Sequence, residues 1–401
     1  MHPADKKRTG DPEIAREINK ALILGILRKQ DRVSRAEIAR ELDLSKVTVS
    51  AIVSELIERR FVAEQGMGES RQSGGRKPIL ISLDTRHVSV IGVDIGTTST
   101  VAAVGDLTGA MRCAHREPTA RSRSLKAVTA QVSRLVSRAL AEAGTPRKRV
   151  IALGVSVAGI VDGAKGFIHF SPDLEWENVP IREILERETG LRVIVDNCTR
   201  LMALGEKWYG GVHEARNVLY VNVGYGIGSA LIINNRIYDN HSEFGHIPVT
   251  ARRVLCHCGK YGCLEAVASG NAIESRGGAN GSAPARARLS ARELAERARG
   301  GDAEAARVFA GAGRYLGRAI SIATNLLNPD KVIIGGGVAL AEDLLLGPLR
   351  AEFDVQTMEV FRTHARIELS TLGTDAAVRG AIALALNTCV FNSSLVDSMS
   401  P

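Results

Sequence analysis

Three of the six cysteines fall within eight positions, in Cys256-His257-Cys258-Gly259-Lys260-Tyr261-Gly262-Cys263-Leu264-Glu265. Nine residues separate that string from Glu243-Phe244-Gly245-His246. Three thiolates and one imidazole make a closed tetrahedral set, the ligand shell of structural zinc. His246, Cys256, Cys258 and Cys263 form that set, with His257 as the competitor for the imidazole position. Gly259 and Gly262 let the backbone turn tightly around an ion. Six cysteines in 401 residues are too sparse for a disulfide framework, so the cluster calls for a metal. Zinc held there would bring Glu243 and Glu265 to one place.

The elements that position these groups follow from glycine turns after apolar runs. Val88–Asp94 is a buried strand leading into Asp94-Ile95-Gly96-Thr97-Thr98. Backbone N–H groups of such a turn can face an anion, and the carboxylate can hold a magnesium-bound water. A second glycine string, Gly224-Tyr225-Gly226-Ile227-Gly228-Ser229, follows the strand at 218–223. A third, Gly335-Gly336-Gly337, follows the strand at 331–334. Strand-to-glycine turns interleaved with helices imply an α/β architecture in two lobes.

The first 82 residues follow another pattern. Apolar positions Ile14, Ile18, Ala21, Leu22 and Leu24 give one helix a buried face. Ser34 with Glu37 three residues later is a capping-box spacing that opens a second helix through Leu42. Asp43-Leu44-Ser45 breaks the chain, and a third helix runs from Lys46 to Arg59. Two helices joined by a tight turn give helix-turn-helix geometry. Arg35, with Ser45, Lys46, Thr48 and Ser50 at the start of the third helix, suits a DNA major groove. A hairpin follows, its tip carrying Arg71, Arg76 and Lys77 among glycines for phosphate or minor-groove contact. The competing reading is a three-helix protein-interaction module with a solvated basic loop.

Composition narrows the class. No apolar run reaches the roughly 18 residues of a membrane span, and the N-terminus lacks a secretory apolar core, so a cytoplasmic protein with no membrane partner is expected. The net charge is +8, and residues 1–80 carry half of that excess, with 16 Lys and Arg against 12 Asp and Glu. Aromatic residues are 4% of the chain, too few for a base-stacking platform, which favours duplex over single strands.

The cysteine string, Glu243-Phe244-Gly245-His246, Asn325-Leu326-Leu327-Asn328-Pro329-Asp330 and Ile334-Gly335-Gly336-Gly337-Val338 together resemble the ROK family of repressors, open reading frames and sugar kinases. The resemblance runs from about Val88 to about Leu386, and the winged helix looks like that of the family's xylose-repressor branch. It implies a winged helix over 1–82, then an actin-like, ribonuclease H-like sugar-kinase fold over 83–401. Its two lobes would meet near residue 200, with the C-terminal helix returning to the first. It implies sugar contacts at Gly159, Asn197, Glu243, His246 and Glu265, where paired carboxylates suit adjacent hydroxyls. Asp173 stands where the family usually has Asn after proline.

The departures bear on catalysis. ROK kinases usually read Glu-Asn-Asp-Ala-Asn, with the Asp as general base; here the string is Asp196-Asn197-Cys198-Thr199-Arg200. A thiol, ordinarily of pKa about 8.5, is a poor proton acceptor near pH 7. Thr97 and Tyr225 also stand where the phosphate loops usually carry glycine and threonine. The reading is therefore a sugar-responsive repressor of carbohydrate-utilisation genes, not an enzyme, with zinc and no catalytic residue. A homodimer or tetramer would bind double-stranded operator DNA and release it when a sugar closes the lobes. The alternative is an active ROK sugar kinase carrying a DNA-binding domain.

Overall fold

The computed structural model describes residues 12–68, 77–212, 215–240, 242–277 and 289–391. They belong to two compact units, one drawn from Met1–Asp196 with Ala381–Pro401 and the other from Asn197–Gly380.

The first unit opens with α1 (Pro12–Lys29), β1 (Val33–Ser34), α2 (Arg35–Glu41) and α3 (Lys46–Glu58). Ser34 Oγ accepts from the Glu37 N–H while Glu37 accepts from the Ser34 N–H, the capping box expected from the spacing. Such a cap contributes about 1 kcal/mol. Leu42 and Arg59, expected as helical, are the C-caps of α2 and α3. Ile23, Ile38, Val49, Ile52 and Val53 bury the inner faces of the three helices. Lys20 on α1 pairs with Glu55 on α3 at 2.6 Å, and Arg16 reaches the same carboxylate at 2.8 Å. These hydrogen bonds pull the Glu55 carboxyl down to about 2. β2 (Val62–Met67) and β3 (Ile79–Leu83) form the hairpin, and β1 pairs with β3 to give a three-stranded sheet.

The rest of this unit is a five-stranded sheet in the order β11-β7-β4-β5-β6. The antiparallel meander is β4 (Ser89–Ile95), β5 (Ser99–Asp106) and β6 (Met111–Pro118). Helix α4 (Leu125–Glu142) leads to β7 (Val150–Val157), which pairs parallel with β4. A small sheet of β8 (Ile160–Asp162), β9 (Phe167–Ser171) and β10 (Trp176–Val179) follows, then α5 (Ile181–Thr189) and β11 (Val193–Asn197). Strand β4 is buried on both faces, as its largely apolar sequence leads one to expect.

The second unit begins with α6 (Cys198–Tyr209), followed by β12 (Val218–Val223), β13 (Ile227–Ile233) and β14 (Arg236–Ile237). Helices α7 (Leu264–Ala268), α8 (Gly270–Arg276), α9 (Ala291–Arg299) and α10 (Ala303–Leu327) come next. The chain then forms β15 (Lys331–Gly335), α11 (Glu342–Gln356), α12 (Glu359–Arg362) and β16 (Arg366–Leu369). Its sheet runs β14-β13-β12-β15-β16, with β12, β15 and β16 parallel. Helices α10 and α11 approach so closely that a Cβ on Gly317 would lie 2.3 Å from the Leu349 carbonyl oxygen. Leu219, Val221 and Ile334 of the sheet pack with Phe309, Leu316 and Leu345 in one core. Helix α13 (Ala376–Leu386) starts in this unit, and its continuation from Ala381 belongs to the first, where Ile382 lies against Gly105.

Candidate functional site

The segment between β14 and α7 folds back on itself. Bridges join Pro248 to Cys263 and Leu255 to Tyr261, and the Cys256 N–H donates to the Lys260 carbonyl. Gly262 has φ +76°, and a Cβ there would sit 2.4 Å from the Thr250 carbonyl oxygen, so only glycine fits. The turn gathers one ligand atom each from His246, Cys256, Cys258 and Cys263 within 4.8 Å of one another. Cys258 Sγ lies 3.7 Å from Cys263 Sγ, and Cys256 Sγ lies 3.7 Å from His246 Nδ1. Ligands about 2.3 Å from a tetrahedral ion stand about 3.8 Å apart, so the four groups fit a metal ion of that kind. Burial pushes the Cys256 thiol up to about 12, a cost that a bound cation would reverse.

His257 is outside this four-group set. Its Nε2 lies 3.2 Å from Glu265 Oε1, and its ring stands edge-on to His246 at 5.7 Å. His246, His257 and Glu265 form a second, overlapping cluster. Glu265 is buried on α7, and its Oε2 accepts the Ile227 N–H at 2.7 Å, tying the turn after β12 to the cysteine segment. Glu243 is exposed, with Oε2 3.7 Å from His246 Nε2. The two nitrogens of His246 thus face different groups, Nδ1 toward a thiol and Nε2 toward a carboxylate. Glu243 and Glu265 both border the cluster, one open to solvent and one largely committed to backbone and His257.

Asn197 caps α6, its Oδ1 accepting the Thr199 and Arg200 N–H groups. Any hydrogen bond that its side chain gives to a ligand hydroxyl therefore comes from Nδ2. Cys198 is the first residue of α6, its Sγ 3.9 Å from Thr199 Oγ1. Arg200 turns to the segment after β14, bonding the Tyr238 carbonyl and reaching Asp239 Oδ1 at 3.4 Å. That segment leads to Glu243, a link across 38 residues that spacing does not reveal. Tyr225 is half exposed at the second glycine turn.

Gly159 and Asp173 belong to the first unit. Gly159 has φ +121°, with the Phe170 carbonyl oxygen where a side chain would begin. Asp173 accepts from Thr97 Oγ1 at 3.3 Å, and its carbonyl accepts from Arg123 at 2.6 Å. The unexpected Thr97 thus meets the unexpected Asp173. Burial pushes the Asp94 carboxyl up to about 6, against the opposing hydrogen bond donated by Ser156 Oγ at 2.7 Å. Its folded value exceeds the unfolded one, so the contribution of Asp94 to stability is fully present below pH 3.8 and is lost as pH rises through about 6. At 1.36 kcal/mol per pH unit between those values, ionised Asp94 costs about 3 kcal/mol. Asp94→Asn keeps the acceptor for Ser156 and should raise the melting temperature at pH 7.5, the gain vanishing near pH 4. Thermal scans across that range check this, and a gain independent of pH would contradict it.

At the N-terminal end of α3, Ser45 Oγ accepts from the Thr48 N–H and bonds Thr48 Oγ1 at 2.8 Å, so the two hydroxyls are tied to each other. Lys46 and Ser50 are exposed beside Val47, which is 80% exposed and which the polar pattern passed over. A methyl-bearing side chain there suits contact with a thymine methyl. Arg35 pairs with Glu64 on β2 at 3.1 Å. Lys77 is exposed at the start of the returning strand, whereas Arg71 and Arg76 lie outside the described residues.

Comparison with known proteins identifies the class. Residues 90–388 match the ROK family, and residues 13–62 match the winged helix-turn-helix DNA-binding family. The chain belongs to the ROK family. It is 30% identical to a putative xylose repressor of Caldicellulosiruptor sp. (strain Rt8B.4), covering 94% of this chain and 98% of that one. A crystal structure of a ROK family transcriptional regulator, described as a homologue of the E. coli MLC protein, superimposes with a TM-score of 0.81 at 25% identity, covering 96% of this chain and all of that one. A glucokinase of Halalkalibacterium halodurans is 32% identical but covers 72% of this chain and 92% of its own.

Proposed function

We propose that the chain is a sugar-responsive transcriptional repressor of carbohydrate-utilisation genes, working in the cytoplasm as a homodimer or tetramer. The observation that carries this is co-occurrence in one chain. The repressor relative matches 94% of it, while the glucokinase leaves more than a quarter unmatched. Residues 1–82 would bind double-stranded operator DNA and residues 83–401 would sense a sugar. Lys46, Thr48 and Ser50, presented at the start of α3, would read base edges, with Ser45 capping that helix. Arg71, Arg76 and Lys77 would meet phosphates, and Arg35 would orient the reading elements through Glu64.

His246, Cys256, Cys258 and Cys263 would hold structural zinc, which supplies a fixed backbone and no open coordination position. With Nδ1 given to an ion, His246 keeps its proton on Nε2 and can donate it to Glu243 or a sugar hydroxyl. Glu243 and Glu265 would accept from hydroxyls, Asn197 would donate, and Gly159 and Asp173 would contribute from the first unit. Xylose is the sugar that the relative's name suggests. The second reading, an active kinase, meets Cys198 at the general-base position.

The test is operator binding with and without sugar. A panel of free and phosphorylated sugars is screened by melting temperature, and binding to DNA flanking the chain's own gene is followed by fluorescence anisotropy. The sugar that raises the melting temperature should weaken operator binding at least tenfold. Glu265→Gln should keep sugar-free DNA affinity and lose that response. A stabilising sugar that leaves affinity unchanged would overturn the reading.

A further inference from the structure

Large apolar side chains that are singly exposed need no explanation, but neighbours in register beside a binding site do. In the first unit, Ile160 on β8 pairs with Phe170 on β9, and Phe170 pairs with Glu177 on β10. Partners across such ladders stand about 5 Å apart, so Phe170 lies between an apolar and an acidic neighbour. All three are exposed, Phe170 at 48%. The same strands bury Val161, Ile168 and Val179 in the core, so the exposure is confined to the end next to Gly159. The register shifts between Ile160 and Val161, a bulge of the kind that re-aims a side chain beside a site. This end is continuous with the sugar contacts proposed above. The Phe170 carbonyl oxygen would lie 2.4 Å from a Cβ on Gly159, and Asp173 follows three residues later. Arg123 holds the connection between β9 and β10 from both sides. It donates to the Asp173 carbonyl at 2.6 Å, and its own carbonyl accepts the Trp176 indole N–H at 2.8 Å. A surface fixed in this way loses little freedom when a ligand settles on it.

We propose that Ile160, Phe170 and Glu177 form a subsite for a second sugar ring, so that the preferred effector is a neutral disaccharide or longer saccharide. A pyranose ring presents C–H groups on its face and hydroxyls around its edge. The face suits Phe170 and Ile160, and an edge hydroxyl can donate to the Glu177 carboxylate. The Phe170 side chain has no polar atom, so whatever covers it must be apolar on that side. A carboxylate within reach of the same ring calls for a hydroxyl on the next side of the ligand. A phosphorylated sugar fits poorly. The hairpin from Phe167 to Val179 carries three carboxylates, on Asp173, Glu175 and Glu177, and no lysine or arginine. The inference rests on the repressor reading in that Gly159 and Asp173 meet the first ring.

Calorimetric titration of the full chain with matched sugars tests it: xylose against xylobiose, glucose against cellobiose, and N-acetylglucosamine against chitobiose. In at least one pair the disaccharide should bind at least tenfold more tightly. Phe170→Ala should erase that advantage while the Kd of the monosaccharide moves less than twofold. Phe170→Trp should keep the advantage, and Glu177→Gln should reduce it severalfold. Both positions are exposed, and an unchanged melting temperature without sugar shows that the variants are folded. Disaccharides that bind no better than their monosaccharides, or a Phe170→Ala chain that binds both more weakly to the same degree, would overturn the proposal. A monosaccharide that releases operator while no disaccharide binds overturns the subsite alone. A disaccharide preference that depends on Phe170, in a chain that binds no operator, overturns the repressor reading and leaves the subsite standing.

Discussion

Cys263→Ser should leave the chain with well under one equivalent of zinc and no response to sugar, while operator binding survives. Cys263 is buried, bridged through its backbone to Pro248, and 3.7 Å from Cys258 Sγ, so it sits at the centre of the ligand set. It also precedes α7, which carries Glu265, whose carboxylate holds the Ile227 N–H. Losing the ion should therefore release the cysteine segment and the glycine turn together. Structural zinc sites bind with about 10–16 kcal/mol in small zinc-finger peptides. This unit has its own core, so only part of that appears as stability. A loss of about 4 kcal/mol is expected, a size that single substitutions reach through a lost metal or an unpaired buried group. The winged helix lies in the other unit and depends on none of these residues. Metal analysis by mass spectrometry, calorimetry and operator anisotropy on one preparation read the three effects. A full zinc equivalent in Cys263→Ser would remove this residue from the ligand set.

What the sequence disclosed was local. Ser34 and Glu37, three residues apart, cap α2, and the cysteine spacing gathers a set of candidate ligands from one short segment. Glycine strings after apolar runs marked the ends of β4, β12 and β15, because a buried strand that stops at glycine has few other fates. What stayed hidden depends on chain brought from afar. Strand β1 is two residues long and exists through pairing with β3, which no period of two could signal. Glu265 was legible as a candidate hydroxyl acceptor, but its engagement by Ile227 comes from 38 residues upstream. His257 was the open competitor for the metal, and only the fold turned it to Glu265. Arg200 stands in the altered string after β11, and only the fold gives it the Tyr238 carbonyl. Val47 reads as another apolar helix residue; its exposure follows from its place at the free end of α3, on the side away from Val49 and Ile52.

The chain should bind its sugar without phosphorylating it, and Cys198→Asp alone should recover little. A positioned base contributes about 10²–10⁴ in rate, which at 1.36 kcal/mol per decade is about 3–5 kcal/mol of barrier. Restoring a carboxylate at the start of α6 addresses that loss alone. Phosphoryl transfer is otherwise positioning and charge stabilisation around the nucleotide. Thr97, in the first glycine turn, spends its hydroxyl on Asp173. Tyr225 adds a phenol where the family's turn usually carries threonine. These defects are independent of residue 198, so their costs persist when it is repaired. ADP release with the stabilising sugar, coupled to NADH oxidation, measures the outcome for the wild-type chain, Cys198→Asp and Cys198→Asp with Tyr225→Thr. Turnover near the enzyme median of about 10 s⁻¹ in the wild-type chain would make it a kinase that also binds DNA. Activity that appears only in the double variant would show that the base and the nucleotide turn were lost separately, leaving a site that recognises its sugar and lacks the means to change it.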